Sequence, residues 1–136
     1  GHSMGGAAGV LAAAEGAPID GLILVAAPSD ILKVTAEFLV DQGLPGHFLA
    51  SLLRPFWWRR IGSSFRPLTP SRRIRELDIP LLLIQPEHDQ RVIREHADRL
   101  AFAAGIDYRL IPDREHTDVL GDPLTLRFVT EFLEDV

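Results

Sequence analysis

Residues 1–6 read GHSMGG, a serine at position 3 with glycine two places before it and two places after. The spacing is that of G-x-S-x-G, in which a strand turns so sharply into a helix that one side chain is left standing at the turn. The backbone at such a serine is strained. Glycines at positions 1 and 5 fit the turn because a Cβ at either is expected to collide with neighbouring elements. The segment that follows, MGGAAGVLAAAEG, reads as a small-residue helix able to pack close to a neighbour, with Gly16 as its stop. Its first amides point at charge developing beside Ser3, which makes the Met4 N–H a candidate oxyanion donor. Gly-Ser turns also occur without chemistry, and a serine in this place can simply cap a helix. What Ser3 does therefore depends on the rest of the chain.

A serine hydroxyl is a poor nucleophile until a base takes its proton, and the base needs a carboxylate to hold its tautomer. Downstream, GLILVAA (21–27) and IPLLLIQ (79–85) are short continuous apolar runs, the mark of strands buried on both faces. DYRLIPD (107–113) is a weaker third. Between the second and third lies RVIREHADRLAFAAG, where Val92, Ile93, His96, Leu100 and Ala103 share a helical face and Gly105 marks the end. After the third, GDPLTLRFVTEFLEDV offers Asp122 as N-cap and Pro123 at the first helical position, with Leu126, Phe128, Val129, Phe132 and Leu133 expected inside. Strand alternating with helix predicts an α/β domain with a parallel sheet and right-handed crossovers. The first crossover is too long for one helix. DILKVTAEFLVDQG, then GHFLASLLRPFWWRRIG broken at Pro55, then PSRRIREL predict a helical insertion over roughly residues 29–71, lying over one end of the sheet.

In such sheets the reactive groups gather at the carboxyl ends of strands. PEHDQRV places Asp89 just past the second strand, and DREHTDV places His116 just past the third. Ser3, Asp89 and His116 are thus the candidate nucleophile, acid and base, in that chain order. Glu87, Asp113 and Asp118 rival Asp89, since the same loops carry them. Of the other histidines, His2 is expected to pack with its side chain directed away from that of Ser3, and His88 to sit at the rim. His96 is expected at the surface or half-buried. His47 lies in the insertion, where a substrate contact can form. Glu87, His88, Asp89, His116 and Asp118 could be drawn as a metal site, but no metal-binding spacing supports one, and neither metal nor organic cofactor is expected.

With these motifs in hand, the chain resembles the C-terminal half of an α/β-hydrolase, the superfamily of serine esterases, lipases and acyl-peptide hydrolases. The resemblance rests on GHSMGG, on IPLLLIQPEHDQRV in the place of the superfamily's strand, loop and Asp-x-x-Val, and on the loop carrying His116. It covers essentially all 136 positions, with the insertion in the slot of the variable cap. It implies a partial α/β-hydrolase fold, a parallel sheet with flanking helices and a helical cap. It also implies hydrolysis of an ester, or of an amide or peptide bond, through Ser3, Asp89 and His116. The sequence departs from the pattern at Gln85-Pro86 and at Glu115, where glycine is common. Earlier strands of the superfamily and its upstream oxyanion loop have no counterpart here, so a fragment of one α/β-hydrolase domain is expected. Acyl transfer on the same triad and a non-catalytic binding module of the same fold are the alternatives.

Composition is consistent with this. With 46% hydrophobic and 24% charged residues in 136, the expectation is one core in a globular domain. The absence of cysteine excludes a disulfide framework, a thiol nucleophile and a thiolate metal site. Seven arginines and no acid fall between Arg54 and Arg75, so the remainder of a chain of net charge −5 carries −12. That distribution argues against a nucleic-acid partner and leaves a local anion-attracting surface open. Trp57 and Trp58 beside Arg54, Arg59 and Arg60 are expected to pack the cap on the core, with a lid over an acyl pocket as the functional option. No apolar run reaches the roughly 20 residues of a membrane span, and no leader is visible. The expected partner is a small acyl substrate and the expected compartment the cytoplasm, while oligomeric state stays open.

Overall fold

The structure is a computed structural model that describes residues 1–61 and 69–136. Three strands form one parallel sheet in the order β1 (Leu22–Val25), β2 (Leu81–Pro86), β3 (Tyr108–Ile111). Leu22 stands opposite Leu81, and Leu83 opposite Tyr108. β1 and β2 are rich in leucine, isoleucine and valine because both faces of the sheet are covered there, while the edge strand β3 leaves Arg109 exposed. On one face Leu22, Leu24 and Leu83 meet Val10 of α1 (Met4–Ala14) and Leu100 of α6 (Arg94–Ala104). On the other, Val25, Ile84 and Ile111 meet Val119, with Phe128 and Val129 of α7 (Pro123–Asp135) packed against them. Alternate residues of each strand face opposite layers, as a period of two requires. Leu24, Leu83 and Leu100 are each no more than 2% exposed, and each such burial contributes about 2 kcal/mol.

The chain's first residues run along β1 as a fourth parallel line. The Val25 N–H donates to the Gly1 carbonyl at 2.9 Å and the Ser3 N–H to the Val25 carbonyl at 2.9 Å. Strand-like pairing thus ends at Ser3, and α1 begins one residue later.

Between β1 and β2 lie α2 (Ile31–Asp41), α3 (Gly46–Leu52), α4 (Arg54–Ile61) and α5 (Pro70–Arg73), the last continued by a 3-10 turn at Ile74–Glu76. Asp30 caps α2 by accepting from the Lys33 N–H at 3.0 Å. The break expected near Pro55 is present: α3 ends at Leu52, and Pro55 sits in the first turn of α4, where its missing N–H costs nothing.

Two expected helical faces need correction. Helix α6 starts at Arg94, so Ile93 precedes it and is 39% exposed, while the buried residues are His96, Ala97, Leu100 and Ala101. On α7, capped by Asp122 as expected, Leu126 and Leu133 are 53% and 63% exposed. Thr125 is the buried residue there, on the same stripe as Phe128, Val129 and Phe132. The apolar set of α7 is wider than the sheet it covers, and one-sided packing chooses the stripe centred on Phe128 and Val129.

Candidate active site

Ser3 has φ 52° and ψ −127°, a conformation that L-residues rarely adopt. Ala26 and Asp113 are the other described non-glycine residues at positive φ, and they follow β1 and β3. Strain among the described residues therefore gathers at the carboxyl rim of the sheet. The close approach that bends the chain at Ser3 needs glycine at position 1, where a Cβ would fall 2.6 Å from the Gly5 carbonyl carbon. The second required glycine is Gly6, not Gly5. A Cβ at Gly6 would lie 2.8 Å from the Ala27 Cβ, whereas one at Gly5 meets nothing within 4 Å. The motif's spacing does not say which of two adjacent glycines faces the sheet.

Ser3 is half-buried and its side chain makes no capping hydrogen bond to α1, which removes the capping role. The Met4 N–H has no hydrogen-bond acceptor among the described residues, while Gly5 N–H is spent on the His2 carbonyl at 2.8 Å. One amide at the head of α1 is thus available beside the Ser3 hydroxyl.

Asp89 and His116 are paired. Asp89 Oδ2 lies 2.7 Å from His116 Nδ1, with the two residues 7% and 8% exposed. The other carboxylate oxygen, Oδ1, accepts the Arg91 and Val92 N–H groups at 2.9 and 2.8 Å, so the side chain cannot rotate without breaking an Asx turn. A carboxylate only accepts, which places the imidazole proton on Nδ1 and leaves Nε2 bare in the neutral ring. Gln85, 1% exposed, braces the turn by donating to the Val92 carbonyl at 2.9 Å. That is the role of a residue whose presence departs from the superfamily pattern.

The loop carrying His116 is held at both ends. Glu87 N–H donates to the Ile111 carbonyl at 3.0 Å and His88 N–H to the Arg114 carbonyl at 2.9 Å, stitching it to the Asp89 loop. Arg114 Nε donates to Asp122 Oδ2 at 2.6 Å. That bond first, and the Leu124 N–H second, hold the Asp122 carboxyl below its usual range. At Glu115, the second departure, the N–H donates to Asp118 Oδ1 at 2.7 Å. Asp118 is thus occupied elsewhere, Glu87 Oε2 accepts the Asp113 N–H at 3.1 Å, and Asp113 faces solvent. Of the four acids the loops offered, Asp89 alone reaches the His116 ring through a hydrogen bond.

No hydrogen bond joins the Ser3 hydroxyl to His116, and the link between them runs through His2. His2 Nε2 lies 2.7 Å from the His116 carbonyl oxygen and so donates to it, and the two rings stand 4.7 Å apart at 44°. The residue next to Ser3 therefore grips the backbone of the candidate base, where sequence reading expected packing alone. The contact spans 114 positions, and no local pattern announces it. Replacing His2 by alanine is expected to slow acylation of Ser3 about tenfold, with His2→Gln recovering most of the loss because its amide can donate to the same carbonyl. Second-order labelling rates by a serine-directed phosphonate, compared among the three proteins, check this.

A cleft of about 370 Å³ opens over His116, walled by Phe38, Asp41 and Gln42 of the insertion and by Arg91 and Glu115 of the loops. His88 is on its rim, as expected. His47 lines a separate cavity of about 350 Å³ with Lys33 and Arg54. His96 is the largest departure among the histidines, with no exposed surface. The metal set drawn from sequence is not assembled: Asp89 and His116 bind one another, and Glu87 and His88 instead adjoin Asp113 in an exposed group whose ligand atoms lie within 4.8 Å. The side chains of Trp57 and Trp58, and with them the expected packing or lid, lie outside the described residues.

No family model matches the sequence, and no curated protein matches it. In three dimensions the chain is similar to an acylaminoacyl peptidase of Pyrococcus horikoshii, with a TM-score of 0.67 and 18% identity over 98% of this chain and 23% of that one. It is similar to the esterase domain of a Rhodothermus marinus protein, with a TM-score of 0.60 and 24% identity over 98% and 55%. A serine hydrolase involved in carbazole degradation matches with a TM-score of 0.64 and 20% identity over 100% and 62%. The chain has part of the α/β-hydrolase fold. It spans less than two thirds of the length of each of these solved structures. Within the α/β-hydrolase fold of this chain, Ser3, Asp89 and His116 each follow a parallel strand or strand-like line, and all three lie at its carboxyl rim.

Proposed function

We propose that this chain carries the nucleophile, base and acid of a serine hydrolase that cleaves a carboxylic ester. The observation that carries the reading is the buried Asp89–His116 pair, its tautomer set by geometry, held through His2 beside a strained serine that caps nothing. Ser3 Oγ attacks the carbonyl carbon of the substrate while its proton passes to His116 Nε2. Asp89 stabilises the imidazolium, and the Met4 N–H donates to the oxyanion. Collapse breaks the acyl–oxygen bond, and the leaving alkoxide takes the proton from Nε2. Water then attacks the acyl-enzyme with His116 as base, and Ser3 is restored. The cleft that reaches His116 is polar but for Phe38 and has room for a small substrate, with Ser3 outside its lining. Neighbours named as an esterase domain and as acylaminoacyl peptidases support ester and amide chemistry in general, and an ester, the more readily cleaved of the two bonds, is the substrate class proposed.

The test is covalent labelling by a fluorophosphonate probe. The chain should take up one equivalent, at Ser3, and Ser3→Ala should take up none, with turnover of p-nitrophenyl acetate lost in step. Label that persists in Ser3→Ala, or a folded wild-type protein tested at its full length that takes up none, sinks the reading. Water and an added alcohol compared as acyl acceptors separate hydrolysis from acyl transfer.

A further inference from the structure

The histidine that sequence reading placed near the surface sits in a second Ser-His-carboxylate chain, away from Ser3. His96 Nδ1 lies 2.8 Å from Ser29 Oγ and accepts the Ser29 N–H at 3.1 Å. Its Nε2 lies 2.8 Å from Glu37 Oε2. Ser29 and His96 have no exposed surface, so this serine has no path to a substrate. The backbone fixes the tautomer, because Nδ1 receives an N–H and cannot carry a proton of its own. In the neutral ring Nε2 is therefore the donor.

The position of the three residues gives the arrangement its use. Ser29 is the point where the chain leaves β1 for the insertion, and its carbonyl accepts the Ser71 N–H at 3.0 Å, where the insertion returns. Both ends of the insertion thus meet at the residue that His96 holds. Among the described residues, the apolar contact of helix α2 with the core is at its start, where Ile31 and Leu32 meet Ala7 and Leu11 of α1, and α2 packs chiefly on α3. Its second attachment is polar: Glu37 to His96, and Lys33 to Glu95 of α6 at 2.8 Å, with Lys33 also 3.5 Å from Glu37. Phe38 follows Glu37, and Phe38, Asp41 and Gln42 are the insertion's side of the cleft over His116.

We propose that Ser29, His96 and Glu37 form a latch, buried at Ser29 and His96, that fixes the C-terminal half of α2 as one wall of the acyl site, with His96 as its positioning residue. The claim about the wall rests on the proposed hydrolase reading; the latch itself does not. Of the two outer partners, Ser29 contributes a backbone N–H that survives side-chain substitution, and Glu37 contributes a single acceptor. His96 is the part that joins them.

The test compares the wild-type chain with His96→Phe, His96→Gln and Glu37→Ala. In wild type at pH 8, nitrogen-15 correlation spectra should show His96 as the Nε2-protonated tautomer. In His96→Phe, amide exchange in the segment 36–41 should quicken at least tenfold while amides of β1, β2 and β3 change little. KM for p-nitrophenyl acetate should rise about fivefold with kcat within a factor of two. His96→Gln, which keeps an acceptor and a donor about as far apart, should restore most of both. Glu37→Ala should reproduce the exchange effect should His96→Phe fail to fold. Exchange that quickens equally in the strands, or not at all in α2, overturns the latch. Quickened exchange with unchanged KM overturns its role at the acyl site. A wild-type protein tested at its full length that turns over no ester defeats the hydrolase reading, and the exchange pattern still decides the latch.

Discussion

Asp89→Asn is expected to lower the acylation rate of Ser3 by roughly four orders of magnitude, the size of effect seen when a serine hydrolase base is held in the wrong tautomer. The geometry dictates which way the new amide turns. Asp89 Oδ1 accepts two backbone N–H groups, from Arg91 and Val92. Only the carbonyl oxygen of asparagine can take that place, so the NH2 group is forced toward His116 Nδ1 at the present 2.7 Å contact. The imidazole must then accept at Nδ1 and carry its proton on Nε2, where it can no longer act as a base toward Ser3. Because the Asx turn survives, the melting temperature should move by only a few degrees, which separates lost chemistry from lost structure. Asp118→Asn is the control, since Asp118 serves the Glu115 N–H and not the ring. Stopped-flow labelling with a fluorophosphonate measures both variants. An Asp89→Asn chain that keeps its rate within tenfold while Asp118→Asn loses it would move the acid to the other carboxylate.

That choice among carboxylates shows what the sequence could and could not say. The strand ends of an α/β sheet bring several loop acids near one rim, and chain order narrows them no further than four. The deciding feature was still local, an aspartate whose side chain reaches the N–H groups two and three residues on, just before a helix. The strands, the elbow and the Asp122-Pro123 start of α7 were legible because each rests on neighbours within a few positions. His96 was not. Its burial depends on Ser29 and Glu37, 67 and 59 positions away, supplied by an insertion whose placement no periodicity predicts. The faces of α6 and α7 failed for a related reason. Helical spacing says which residues lie together, while the width of the surface beneath says how many of them it can cover.

Gly6→Ala is expected to damage the elbow, and Gly5→Ala to leave it intact or improve stability slightly. Both changes gain helix propensity, about 1 kcal/mol each relative to glycine. At Gly5 nothing opposes that gain within 4 Å. At Gly6 the new methyl would stand 2.8 Å from the Ala27 Cβ and 3.1 Å from the Gly1 carbonyl oxygen. Neither obstacle is the end of a flexible side chain. Gly1 is tied to β1 by the Val25 N–H, and Ala27 lies two residues past the end of β1 and is 4% exposed. Relief must come from moving α1 away from the sheet, and overpacking of this kind costs about 1–3 kcal/mol. The helix carries Met4 at its head, one residue beyond Ser3, so the shift that relieves the clash also displaces the hydroxyl from the Asp89–His116 pair. A displacement near 1 Å at a reacting group can cost about a hundredfold in rate. Thermal unfolding together with fluorophosphonate labelling should therefore show Gly6→Ala melting several degrees lower and reacting about a hundredfold more slowly, with Gly5→Ala unchanged or slightly improved in both. Equal behaviour of the two variants would mean that α1 does not approach the sheet where this fold puts it, and the placement of Ser3 would fall with it.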